Sequence, residues 1–90
     1  MQSSVAETLA LKVLGFLAAQ GEPLERFLAV SGVNLDDLRE RVGDPQLLGA
    51  VLEFLLADDR LVIAFAEEEG IDAKFVHHAR RALPGAAPES

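Results

Sequence analysis

The stretch Asp44-Pro45-Gln46-Leu47-Leu48-Gly49-Ala50-Val51-Leu52-Glu53-Phe54-Leu55-Leu56-Ala57-Asp58 constrains the fold of this chain more than any other. Read as a helix, it places Leu47, Leu48, Val51, Leu52, Phe54, Leu55 and Leu56 around the whole axis, and Glu53 is its only interior charge. A surface helix carries one apolar stripe; a helix apolar on nearly every side has to be covered by other elements. Asp44 is placed to cap the first turn, and Pro45 stands at the first helical position, where its missing N–H is no loss. At 1.5 Å per residue the segment runs roughly 20 Å, too short to span a bilayer. The sequence thus predicts a soluble helical domain built around this segment.

Helix signals recur on both sides of it. Ser4 followed by Glu7 has the spacing of a capping box, which opens a first helix carrying Val5, Leu9, Val13, Phe16 and Leu17 at helical spacing, with Leu11 and Leu14 on another side. Gly21 ends that helix by accepting a left-handed conformation. Pro23 opens a short second helix with Leu24, Phe27 and Leu28 inward, stopping at Ser31-Gly32. Asn34 caps a third, in which Leu35, Leu38 and Val42 form a narrow stripe. Asp36 and Asp37 sit at its positive end and Arg39 and Arg41 toward its negative end, and Gly43 terminates it. Asp58 or Asp59 caps a fifth helix running to Gly70; its Val62-Ile63 pair permits a strand, but no second strand is present to pair with it. Asp72 caps a sixth, and Pro84 stops it. The expected fold is all-α, a compact bundle of about five to six short helices with the first and fourth at its centre. Residues 1–83 form one domain and residues 84–90, with two prolines and little to bury, a disordered C-terminal tail. All five phenylalanines fall on inward positions in this scheme. The similar runs 27–34 and 65–72 read as the generic helix–glycine–cap–helix turn, not as a duplication.

Charge and composition narrow the function classes. Fifteen acidic against eight basic Lys and Arg residues leave a net charge of -7, which argues against nucleic acid or an anionic membrane as the default partner. The chain has no cysteine, so it holds no disulfide framework and no thiolate metal ligand, and a reducing cytoplasm fits. The first residues carry no basic leader, and Lys12 interrupts the apolar run that follows, so a cytoplasmic location is expected. With 90 residues the chain buries only about 60% of the surface its unfolded form exposes, so self-association, for example as a homodimer, would add stability.

Ala6-Glu7-Thr8-Leu9-Ala10-Leu11, Phe16-Leu17-Ala18-Ala19, Phe27-Leu28 with Ser31-Gly32, and above all Leu55-Leu56-Ala57-Asp58-Asp59-Arg60-Leu61 with Phe65-Ala66 and Gly70-Ile71-Asp72 resemble a short, uncharacterised alphaproteobacterial family, catalogued as a domain of unknown function. The resemblance covers almost the whole chain, but its marks are caps and core positions. It implies a stand-alone bacterial helical protein and carries over no functional residue.

No catalytic set emerges. Ser3, Ser4, Thr8, Ser31 and Ser90 all read as cap, helix-end or tail residues, Asp36-Asp37 and Asp58-Asp59 as helix starts, and no glycine-rich loop follows a strand. His77 and His78 point about 100° apart on a helix and make no metal pair, so neither a metal nor another cofactor is expected. Two surface features remain. Glu67, Glu68 and Glu69 crowd the last turn of a helix against its dipole and are candidates for binding a basic patch on a partner. Lys74, His77 and Arg81 line up along the sixth helix, flanked by His78 and Arg80, opposite an inward face of Phe75, Val76, Ala79 and Leu83. With Ala66, Gly70, Ile71 and Val76, that row gives residues 59–83 the spacing of a helix-turn-helix DNA reader. The leading expectation is a non-enzymatic protein–protein interaction or self-association module with no membrane partner; the alternative is a DNA-associated regulator using residues 59–83.

Overall fold

A computed structural model describes residues 1–84. Its helices are α1 (Ser3–Gln20), α2 (Glu22–Ser31), α3 (Leu35–Glu40), α4 (Pro45–Leu56), α5 (Asp59–Glu69) and α6 (Lys74–Arg81), with no strand among the described residues. Short polar side chains start three of them. The Asn34 carboxamide accepts the Asp37 N–H at 2.8 Å, the Asp44 carboxylate the Gln46 N–H at 2.9 Å, and the Asp58 carboxylate the Arg60 N–H at 3.0 Å. Each satisfies a backbone donor that the first turn leaves without a helical partner. Asp58 rather than Asp59 is therefore the cap of α5. Gly32 and Gly70 close α2 and α5 in the left-handed conformation.

Several local expectations need correction: Gly21 ends α1 with φ 83° but ψ -76°, outside the left-handed helical region. The Ser4–Glu7 capping box does not form, because α1 begins at Ser3 with Gln2 at its N-cap and no side-chain bond there. Ser4 is already inside the helix, and its carbonyl accepts the Thr8 hydroxyl at 3.0 Å. The third helix ends at Glu40, before Val42 and Gly43, with Arg41 at its C-cap. Asp72 caps the turn that leads into α6, accepting the Lys74 N–H at 2.9 Å, while Ala73 stands at the N-cap.

The centre is α1 against α4, as the patterning predicts. Ala6, Ala10, Val13, Phe16 and Leu17 of α1 and Leu47, Leu48, Val51, Leu52 and Leu55 of α4 are all buried. Around this pair, α2 packs on α1 and α4, α5 on α4, and α6 on both α1 and α4. Two edge-to-face aromatic pairs tie the layers together, Phe16 with Phe65 and Phe27 with Phe54, each with ring centroids 5.5 Å apart. The described chain measures 30 × 27 × 23 Å.

The sixth helix departs most from expectation. Phe75 is 53% exposed, whereas Arg80 is 8% exposed. The inward stripe is Val76, Ala79, Arg80 and Leu83, spaced i, i+3, i+4, i+7, and Phe75 lies about 100° off it. Arg80 is accommodated by two hydrogen bonds, Nη1 to the Pro84 carbonyl at 3.2 Å and Nη2 to the Glu53 carboxylate at 3.3 Å. Gly49 makes room for this cluster: a Cβ there would lie 2.7 Å from the Pro84 carbonyl oxygen and 3.1 Å from Arg80 Nη1. Of the tail expected at 84–90, only Pro84 lies within the described residues.

Candidate interaction surfaces

Glu67, Glu68 and Glu69 are all exposed on the last turn of α5, where no basic residue accompanies them. Glu69 reaches across to α1, its carboxylate 3.6 Å from Lys12 Nζ. The offset to this acidic run thus includes Lys12, a residue far away in sequence.

Lys74, His77 and Arg81 are likewise exposed, on a helix without a single acidic residue. Neither Lys74 nor Arg81 forms an ion pair among the described residues, although Lys12, Arg26, Arg41 and Arg80 do. Arg80 leaves the basic row for the interior. The main packing partners of the two helices of the helix-turn-helix reading are α4 for α5 and both α1 and α4 for α6. The α6 helix is only eight residues long.

A third feature escaped the sequence. Between α2 and α4 lies an open groove of about 330 Å³, lined by Phe27, Val30, Ala50, Glu53, Phe54 and Ala57. Val30 is 78% exposed at its edge. Arg26 lies over the Phe54 ring, 5.8 Å from its centroid, and is itself held by Glu22 at 2.8 Å and Asp58 at 3.8 Å. A second recess of about 380 Å³, which shares Phe54 and Ala57 with the groove, is bounded by Arg26, Asp58, Asp59 and Arg60. The result is an apolar floor with a charged border. A signal was available: α2 offers Val30 in addition to its inward residues, more apolar surface than a ten-residue helix buries on one face.

A shallower strip runs along the N-terminal half of α1, where Ser4, Val5, Thr8, Leu9 and Lys12 line a recess of about 320 Å³. Val5, expected inside, is 51% exposed. At the far end Met1 shares a recess of about 250 Å³ with His78 and Arg81 of α6 and with Ala82 just after it.

The hydroxyl groups serve local structure: Thr8 bonds the Ser4 carbonyl, and Ser31 accepts the Val33 N–H at 3.3 Å in the turn after α2. Among the described residues no three His, Cys, Asp or Glu side chains gather in a way that could hold a metal ion, and no helix is long and apolar enough to cross a membrane. A family model described as "Protein of unknown function (DUF3572)" matches residues 3–86. The chain belongs to the DUF3572 family. The match begins at the first residue of α1 and takes in every helix, so the DUF3572 domain is the whole bundle, in keeping with the resemblance read from its caps and core. Neither a curated protein nor a solved structure matches this DUF3572 chain.

Proposed function

We propose that this DUF3572 protein is a cytoplasmic, non-enzymatic module that binds another protein through the groove between α2 and α4. The observation that carries the reading is the exposure of Val30 beside the open Phe27–Phe54 floor. Apolar side chains left at a surface gain about 25 cal/mol for each Å² that a partner removes from water. A groove floored by aromatic rings and bordered by charge has the layout of an interface, an apolar centre inside a polar rim. Aromatic residues are also over-represented among the few positions that dominate binding energy. Glu53 lines the groove itself, and Arg26, Asp58, Asp59 and Arg60 of the adjoining recess add both signs of charge beside it, which favours a partner with polar groups flanking an apolar anchor.

The test compares wild type with Val30→Lys and Ala50→Glu in capture from native lysate, with and without nuclease. A protein retained by wild type, resistant to nuclease and reduced at least about tenfold by either change supports the groove; each unit of 1.4 kcal/mol lost corresponds to that factor. Retention of nucleic acid instead, lost on Lys74→Glu with Arg81→Glu and indifferent to Val30, would transfer the function to the α6 row.

A further inference from the structure

We infer that Glu53 couples the α2–α4 groove to α6: a cationic group that enters the groove and takes the Glu53 carboxylate loosens the hold on α6. The inference rests on the groove being a binding site, and it names the regulation of that site.

Glu53 stands between two surfaces of α4. Four residues before it, Gly49 lies against the Arg80 guanidinium and the Pro84 carbonyl. Ala50, Phe54 and Ala57 line the groove, and Glu53 lines it with them. At about 100° per residue, Glu53 falls about 40° from Gly49 and about 60° from Ala50 around the helix axis, so it serves both sides. Among the described residues it is the one charged group lining the groove. Its side chain is 69% exposed although its carboxylate holds Arg80 Nη2 at 3.3 Å. A cation in the groove can therefore reach it.

The hold on α6 depends on that carboxylate. The helix has eight residues and no side-chain cap at its start. Apart from Arg80, it buries only Val76 and Ala79, with Leu83 just beyond its end. So short a helix is stable only through its packing. The pair of Arg80 with Glu53 is the one ion pair that α6 makes among the described residues. When another cation draws Glu53 away, the buried guanidinium keeps only the neutral Pro84 carbonyl. A buried charge deprived of its counter-ion destabilises the site, and Arg80 regains solvation only by moving outward. Val76 and Ala79 share its helix, so α6 opens more often while the α1–α4 core stays closed. The partner chemistry that works this coupling is a Lys or Arg beside the apolar anchor, since only a cation competes for the carboxylate. The effect is reciprocal: whatever holds α6 down also withholds Glu53 from the groove.

The test is amide hydrogen exchange on the intact chain, read at residues 78–82 and, for reference, in the buried stretches of α1 and α4. Ala57→Lys delivers the competing cation from the groove side, because a lysine four residues after a glutamate on a helix pairs with it. Ala57→Gln is the uncharged control, and Glu53→Gln removes the carboxylate. Ala57→Lys and Glu53→Gln should each speed exchange at residues 78–82 at least about threefold, a modest factor because the pair is partly open to solvent. The reference stretches should not change, and Ala57→Gln should match wild type. In the double variant, Ala57→Lys should add nothing to Glu53→Gln. No partner is needed, so this test and capture through the groove can fail independently. Wild-type exchange in Ala57→Lys or in Glu53→Gln overturns the inference. So does equal acceleration in α1 and α4, an Ala57→Gln chain as fast as Ala57→Lys, or a lysine effect that persists in the double variant.

Discussion

Gly49 and Gly15 are both helical glycines, yet they serve opposite ends. At Gly49 the backbone must be bare because the Pro84 carbonyl and the Arg80 guanidinium press against it. At Gly15, in the middle of α1, an added Cβ would meet nothing within 4 Å. Gly49→Ala should therefore lower stability by about 1–3 kcal/mol, the usual consequence of forcing atoms into a packed site. Gly15→Ala should raise it by about 0.5–1 kcal/mol, the difference in helix propensity. Chemical denaturation of the two variants checks the opposite signs. Asp44 makes a second prediction at this scale. Its hydrogen bond with the Arg41 guanidinium, followed by the Gln46 N–H it accepts, holds its carboxyl below the ordinary aspartate range. A folded-state pKa below the unfolded one means that the unfolded chain takes up the proton first as pH falls. The contribution is thus complete above roughly pH 4, the ordinary aspartate value, and is lost as pH falls through the depressed pKa. Denaturation of wild type and Asp44→Asn across that range should show a wild-type advantage at neutral pH that shrinks in acid.

For the elements, what could be read from the chain was what local chemistry decides. Asn34, Asp44 and Asp58 cap because their short oxygens reach an N–H two or three residues ahead, a contact that depends on nothing distant. The all-round apolarity of Leu47–Leu56 likewise needed no partner to declare itself, and α4 lies at the centre against α1. Positions decided by rotation about a helix axis were less legible. On α6 the residues available for burial included both Phe75 and Arg80. Hydropathy favours the phenylalanine, but the register set by Val76, Ala79 and Leu83 turns Arg80 inward. A buried guanidinium became tolerable only because Glu53 and the Pro84 carbonyl were there to receive it. The same limit hid the candidate surfaces. Phe27 and Phe54 read correctly as packed residues, yet the open groove beside them exists only once α2 crosses α4. Glu67, Glu68 and Glu69 were recognisable as an unusual run, while the role of Lys12 as a partner depends on α1 passing alongside.

At the scale of the molecule, a chain of net charge -7 keeps its bases near particular surfaces. Arg26 and Arg60 line the recess that adjoins the α2–α4 groove, and α6 carries Lys74, His77, His78 and Arg81 outward. The α1–α4 core organises the bundle, and the apolar surface left over, Val30 foremost, is what the proposed interaction rests on. The most direct test of that claim places a photoreactive phenylalanine analogue at Val30, and as a control at the exposed Arg39 on α3, in cells that make the protein. Irradiation should yield a discrete protein adduct from position 30 and none from position 39. No adduct from position 30, or the same adduct from both, would contradict the account.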